Sequence, residues 1–225
     1  MIRVGLIDGA LPGDWPGLVG QEWFCRPDAA ELASGHAEAM AQTVRTHAAD
    51  VLLLNAVVFP GQLSTTLDAI CAALSWLAED PPDIVLCAFG MARSSIEMSV
   101  AVARLQQAGS LIVGSAPARG GNAYPAAITG VLSVQGDARC RPNDLSRLDL
   151  PQAAYGACPI AAGREDIRGA SAAAAHLAGL LARSVQGSET NALVGLETFV
   201  RYRGRERRGD GALAGSGAAG VSAGG

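Results

Sequence analysis

The sequence is short of charge, of aromatic rings and of any feature that would direct it to a membrane or a nucleic acid. Only 17% of its 225 residues are charged, 4% are aromatic, and the net charge is -4. Basic residues are scattered apart from one cluster near the end, so neither nucleic acid nor an anionic membrane is an expected partner. No apolar run approaches a membrane span, and the opening MIRVGLIDGA has neither a basic n-region nor a long apolar h-region. These absences predict a soluble, cytoplasmic chain without membrane insertion. An apolar strand that starts at the second residue also leaves no room for a propeptide or leader ahead of the core.

The five cysteines, Cys25, Cys71, Cys87, Cys140 and Cys158, are odd in number, widely spaced, and form no CxxC pair or His/Cys metal spacing. They read as buried free thiols. No acidic loop has the ligand count of a calcium site, so no metal and no cofactor is expected. Phosphate-cradling motifs are missing as well. No GxGxxG or GxxxxGK(S/T) follows a strand, and Gly114–Gly121 carries Pro117 where backbone N–H groups would be needed, which argues against a nucleotide-binding module.

What is present is apolar and patterned, with 49% hydrophobic residues in a chain long enough for one sizeable α/β domain. Ile2–Ile7, Val51–Val58, Ile84–Phe89, Leu111–Val113 and Val131–Val134 read as buried strands, with Glu22–Cys25 and Ala153–Cys158 as weaker ones. Ser34–His47, with Ser34 as cap and His36 in its opening turn, Leu63–Ala78 and Ser94–Gln107 read as helices. The alternation predicts a mostly parallel sheet with helices on both faces. Gly9–Gly20 and most of Gly136–Asp149 read as loop, and Ser188–Tyr202 as a last helix capped by Ser188. Residues 1–203 form the expected compact catalytic domain. The remainder, 204–225, is a short basic run followed by Gly, Ala and Ser, and is expected to be a disordered tail.

The chemistry centres on RGASAAAAHLAGLLARSV, residues 168–185. A Gly-Ala-Ser turn runs into a strong helix former, which puts Ser171 in the first turn of a buried helix, where unpaired N–H groups can stabilise an oxyanion. Taken alone, Ser171 reads as a helix cap. Catalysis needs a base and a carboxylate that orients it. His36 follows a Gly at a helix start, while His176 points to another face of the serine helix and His47 lies at an exposed helix end. Asp8 ends the first strand, where strand C-termini converge on one crevice.

The chain resembles the subtilisin-like serine proteases in Val4-Gly5-Leu6-Ile7-Asp8, in Gly35-His36 with Ala41-Gln42-Thr43-Val44, and in Gly169-Ala170-Ser171 with His176-Leu177-Ala178-Gly179. The resemblance implies a subtilisin-like three-layer fold, with Ser171 as nucleophile, His36 as general base and then acid, and Asp8 as orienting carboxylate. It also implies substrate-pocket walls at Ala88, Phe89 and Gly90 and at Gly114, Ser115 and Ala116, and a Tyr-Pro turn at Tyr124-Pro125. The family's Gly-Thr-His after the catalytic histidine is Ala37-Glu38-Ala39 here, and its Gly-Asn is replaced by Pro117-Ala118. That asparagine donates to the oxyanion, and losing such a donor costs about 2.7–4 kcal/mol, a value from subtilisin itself. Ala118, Arg119 and Asn122 are the candidates for this role, beside the Ser171 N–H.

Ala116–Gly120, Tyr124–Ala126 and Gly136–Cys140 further resemble the maturation proteases of quinohemoprotein amine dehydrogenase. That resemblance implies a leader-bearing small cross-linked subunit as protein substrate and a radical SAM modifying enzyme as possible partner, and a protease read as having neither propeptide nor signal is expected to be narrow in specificity. The alternative is a catalytically weak or inactive peptide-binding scaffold of the same fold.

Overall fold

The computed structural model describes residues 1–26, 31–186 and 192–205. The apolar run Arg3–Asp8 becomes strand β1, which lies between Leu52–Val57 (β3) and Ile84–Cys87 (β4), all parallel. Strands of this kind are apolar throughout because both faces are covered. Their side chains alternate between two cores. Val4 and Leu6 of β1 join Ile84 and Leu86 of β4 in one, while Ile7, Val85 and Cys87 enter the other.

Among the described residues the sheet has nine strands. Beyond β4 lie Leu111–Ser115 (β5), Leu132–Gly136 (β6), Tyr155–Ala157 (β8), Leu145–Arg147 (β7) and Val200–Arg203 (β11), and beyond β3 lies Leu18–Trp23 (β2). All neighbours are parallel except β7 and β8. Glu31–His47 (α1) and Ala170–Gln186 (α4) cover the face of Val4 and Leu6, and Leu67–Leu77 (α2) and Ile96–Gln107 (α3) cover the other. The three-layer α/β architecture read from the sequence is the one observed.

Local chemistry explains the helix boundaries. The hydroxyls of Thr66 and Ser95 accept N–H bonds from Ala69 and Met98, at 3.2 and 3.1 Å, and so start α2 and α3. Helix α4 is buried from Ala172 through Ala182. Its alanines favour the helix and let it lie close to the sheet. Each fully buried Leu or Ile, such as Leu74, Ile70 or Leu105, contributes roughly 1.5–3 kcal/mol.

Several expectations need correction. Helix α1 begins at Glu31, so Ser34 is inside it rather than its cap, and His36 lies in the second turn. The second strand starts at Leu18, inside the expected loop, because it pairs with β3. Helix α2 starts at Leu67 rather than Leu63, where Thr66 caps it. The 136–149 stretch contributes β7, and 188–202 contains a short helix, Ala192–Glu197 (α5), followed by β11. Both strands are short, and their place is fixed by pairing, β7 with β8 and β11, and β11 with β7. A two-stranded hairpin, Ile160–Ala161 (β9) with Arg164–Arg168 (β10), was not expected. Cys25 and Cys71 are half-buried, while the other three thiols are buried. The Ser188 cap and residues 206–225 of the expected tail lie outside the described residues. No helix among the described residues is long and apolar enough to cross a membrane.

Candidate active site

Asp8 ends β1 and is fully buried. Its Oδ1 accepts the Gly9 N–H at 2.7 Å, and its carbonyl accepts the Val58 N–H at 2.9 Å. The loop that follows is tied down by two side chains that sequence reasoning missed. Asn55 donates from Nδ2 to the Gly9 carbonyl (3.0 Å) and to Gln21 Oε1 (2.6 Å), and Gln21 Nε2 donates to the Leu11 carbonyl (3.2 Å). The available signal was a single asparagine inside the apolar run Val51–Val58.

His36 projects from α1 and is 8% exposed. Its Nδ1 lies 2.8 Å from Asp8 Oδ2 and 3.0 Å from Oδ1, and its Nε2 lies 3.2 Å from Ser171 Oγ. A carboxylate only accepts, so Nδ1 carries the hydrogen and Nε2 presents its lone pair to the Ser171 hydroxyl. Burial is the largest influence on His36 and works against its charge. The hydrogen bond to Asp8 and that carboxylate's charge together outweigh it, and hold the pKa above the ordinary histidine value.

Ser171 is the second residue of α4. It follows Gly169, whose φ of 124° lies in the region that favours glycine, and whose N–H is fixed by the Pro159 carbonyl at 2.8 Å. The Ser115 hydroxyl lies 3.3 Å from both the Ala170 and the Cys87 carbonyls, and so ties the start of α4 to the ends of β4 and β5. The first N–H groups of a helix have no intrahelical partner, which leaves the Ser171 N–H able to meet a developing negative charge.

Two cavities meet at Ser171. One, of about 470 Å³, is lined by Ala88, Phe89 and Gly90 on one wall and Ser115, Ala116 and Pro117 on the other, with Met91, Gly121 and Asn122 at its margin. The second, of about 410 Å³, runs past His36 and adds Phe59, Leu63, Ser64 and Thr65. Of the six pocket residues expected from sequence, five line the first cavity. Gly114 does not, because it packs against Ala126 inside β5. Met91 and Tyr124 exchange two backbone hydrogen bonds of 2.8 Å, which join the two walls. A Cβ on Gly90 would come within 2.8 Å of Ala123 Cβ, so only glycine allows that approach. Apart from His36, no ionisable side chain among the described residues lines either cavity.

The oxyanion candidates separate. Asn122 borders the first cavity with Ser171, whereas Ala118 and Arg119 line a different one, with Gln135 and Asp137. The chain turns away at Pro117, which removes Ala118 and Arg119 from the serine's cavity.

Behind the site, His47 and His176 are buried rather than one being exposed, which corrects the expectation for His47. Their Nε2 and Nδ1 atoms are 2.8 Å apart, and His176 Nε2 donates to the Ile160 carbonyl at 2.8 Å. His176 Nδ1 is therefore the acceptor and His47 Nε2 the donor, which makes the His176 ring neutral. Burial, and then the neighbouring His176, push His47 down to about 4, and burial also lowers His176.

A mostly parallel sheet between two helical layers, with an aspartate ending an inner strand, a histidine on one helix and a serine starting another, has the fold of the subtilisin-like proteases. Solved structures similar to this chain include the prenylagaramide maturation protease PagA, at 16% identity and a TM-score of 0.60, covering 82% of this chain and 75% of that one. Sphericase matches at 19% identity and a TM-score of 0.61, over 88% and 81%. A lanthipeptide protease matches at 17% identity and a TM-score of 0.65, over 87% and 78%. No protein-family model matches the chain, and no curated protein sequence matches it.

Proposed function

We propose that this chain is a serine endopeptidase of narrow specificity that removes a leader peptide from a partner protein during its maturation. The observation that carries this reading is the unbroken hydrogen-bonded chain Asp8–His36–Ser171 at the junction of two cavities. Ser171 Oγ attacks the scissile carbonyl as its proton passes to His36 Nε2. Asp8 holds the imidazole in the required tautomer and stabilises the imidazolium. Collapse of the tetrahedral intermediate breaks the C–N bond, and His36 gives its proton to the leaving amine. Water, deprotonated by His36, then releases the acyl group and regenerates Ser171.

Negative charge on the intermediate is met by the Ser171 N–H and by Asn122, which stands in for the asparagine replaced at Pro117-Ala118. The maturation role is supported by two of the fold's neighbours, described as a maturation protease and a lanthipeptide protease. The particular substrate, the leader-bearing small subunit of quinohemoprotein amine dehydrogenase acting with its radical SAM modifying enzyme, is supported by the sequence resemblance at Ala116–Gly120, Tyr124–Ala126 and Gly136–Cys140. Incubation of purified protein with that precursor, followed by mass spectrometry, tests the reading. A single cut at the leader boundary, lost in Ser171→Ala, with casein left intact, is the expected result. Binding of the precursor without any cut would favour the peptide-binding scaffold, and rapid digestion of casein would contradict narrow specificity.

A further inference from the structure

The wall that carries Pro117 has a second side. There, Ala118 and Arg119 form part of a cavity of about 450 Å³ with Gln135, Leu148, Gln152 and Arg205. Chain connectivity makes it adjacent to the serine's cavity, since Ala116 and Pro117 line one and Ala118 and Arg119 the other. Its floor also lies against the turn before the nucleophile, because a Cβ on Gly136 would stand 3.7 Å from the Gly169 carbonyl.

The charge inside this cavity is unbalanced. Its one carboxylate among the described residues, Asp137, is satisfied from within the protein. Arg139 donates to it from Nε (3.0 Å) and from Nη2 (2.7 Å), and the Ser146 hydroxyl donates at 2.6 Å. Burial opposes the charge on Asp137, but these bonds outweigh it and keep its pKa below the usual carboxylate range. The guanidinium groups of Arg119 and Arg205 are exposed and have no side-chain partner among the described residues. The chain contains no lysine, so every cation is a planar fork suited to gripping a carboxylate with two parallel hydrogen bonds. Gln135 Oε1 is buried without a hydrogen-bond partner, a state that a bound donor would relieve. Leu148 and Leu150 supply an apolar surface for the stem of a side chain.

We infer that this cavity is a specificity site for an acidic side chain of the peptide substrate, with Arg119 and Arg205 gripping its carboxylate and Gln135 accepting a backbone N–H. The inference rests on the proposed peptidase reading and deepens it. The nonpolar cavities beside Ser171 select for shape, whereas this one selects for charge and restricts cleavage to chains that carry an Asp or Glu at one fixed distance from the scissile bond.

The test measures binding of fluorescein-labelled decapeptides to full-length Ser171→Ala. Each peptide has an uncharged Ala/Ser/Leu sequence with one Glu, moved through every position, and each has a Gln counterpart. At one position, the Glu peptide should bind about ten-fold more tightly than its Gln counterpart at low salt. That preference should vanish in an Arg119→Gln, Arg205→Gln background and turn toward Lys in Arg119→Glu, Arg205→Glu. Equal binding of Glu and Gln peptides at every position, a preference that survives loss of both arginines, or no binding by any peptide would overturn the inference. Labelling of the wild-type protein by a fluorophosphonate, run in parallel, keeps the two ideas apart. Its failure both alone and with the leader-bearing precursor added would end the serine peptidase reading while leaving the binding comparison intact.

Discussion

The two sides of Ser171 are built to different standards. On the His36 side, Asp8 accepts from Gly9 N–H and from His36, and the loop beyond it is held by Asn55 and Gln21, so the base has one orientation and one tautomer. On the opposite side, residues 116–122 turn past Pro117 and line the cavity with Ala116, Pro117, Gly121 and Asn122, of which Asn122 alone has a polar side chain and lies on an exposed stretch of chain. On the proposed reading, proton transfer is preorganised, whereas the oxyanion is met by the Ser171 N–H and by Asn122 on the looser wall, with the bound substrate left to order that wall. Such a division suits a narrow enzyme, because transition-state binding then depends on the correct partner.

The largest effects should come from breaking the well-built side. Ser171→Ala should lower kcat by on the order of 10⁶-fold, measured on the precursor peptide. Asp8→Asn should cost on the order of 10⁴-fold, because an amide can donate to Nδ1 and stabilise the wrong tautomer. The same variant should change the pH profile. His36 is active when neutral, and its pKa in the folded protein is raised, so kcat/KM should rise with pH through a midpoint above 6.5. Without the Asp8 charge, that midpoint should move down.

The looser side should give a smaller, differently shaped loss. Asn122→Ala should reduce kcat by roughly 10²–10³-fold with little change in KM if its amide meets the oxyanion. A loss under three-fold would assign the charge to the Ser171 N–H and the substrate alone, and so widen the contrast between the two sides.

The contrast also runs through what the sequence made legible. Strands β1, β3 and β4 were readable because burial on both faces requires continuous apolar runs, and α4 because a glycine turn precedes an alanine-rich helix. Asp8 and His36 stood out because each sits beside a glycine, and Ser171 because Gly169 lies two residues before it at the start of a helix, and the structure brings the three within hydrogen-bond distance. The opposite side was not readable. Whether Arg119 or Asn122 reaches the serine depends on the direction the chain takes after Pro117, and the Met91–Tyr124 pairing joins residues far apart in sequence. Strands β7 and β11 were missed for a related reason, since such short segments become strands only through their neighbours, β8 and β11 for β7 and β7 for β11.

The smallest predicted effect lies behind the site, where the catalytic helices α1 and α4 meet at His47 and His176. The depressed pKa of His47 means that the unfolded chain takes up its proton near pH 6.5 and the folded chain only near 4. The stability this neutral ring contributes is complete above pH 6.5 and is lost as pH falls toward about 4, on the order of 3 kcal/mol in all. His36 acts in the opposite sense, its contribution being lost as pH rises through its raised pKa. The fall in Tm between pH 7 and pH 5 should therefore be smaller in His47→Gln than in wild type, and an unchanged fall would remove this pair from the account.

The central claim is that Ser171 is activated by His36 and Asp8, and labelling with a fluorophosphonate probe tests it most directly. Wild-type protein should be labelled at Ser171, with labelling absent in Ser171→Ala and strongly reduced in His36→Ala. Labelling that appears only after the leader-bearing precursor is added would still fit, since the substrate then orders the looser side of the site. No labelling of wild type in either condition would contradict the account and leave a peptide-binding scaffold in its place.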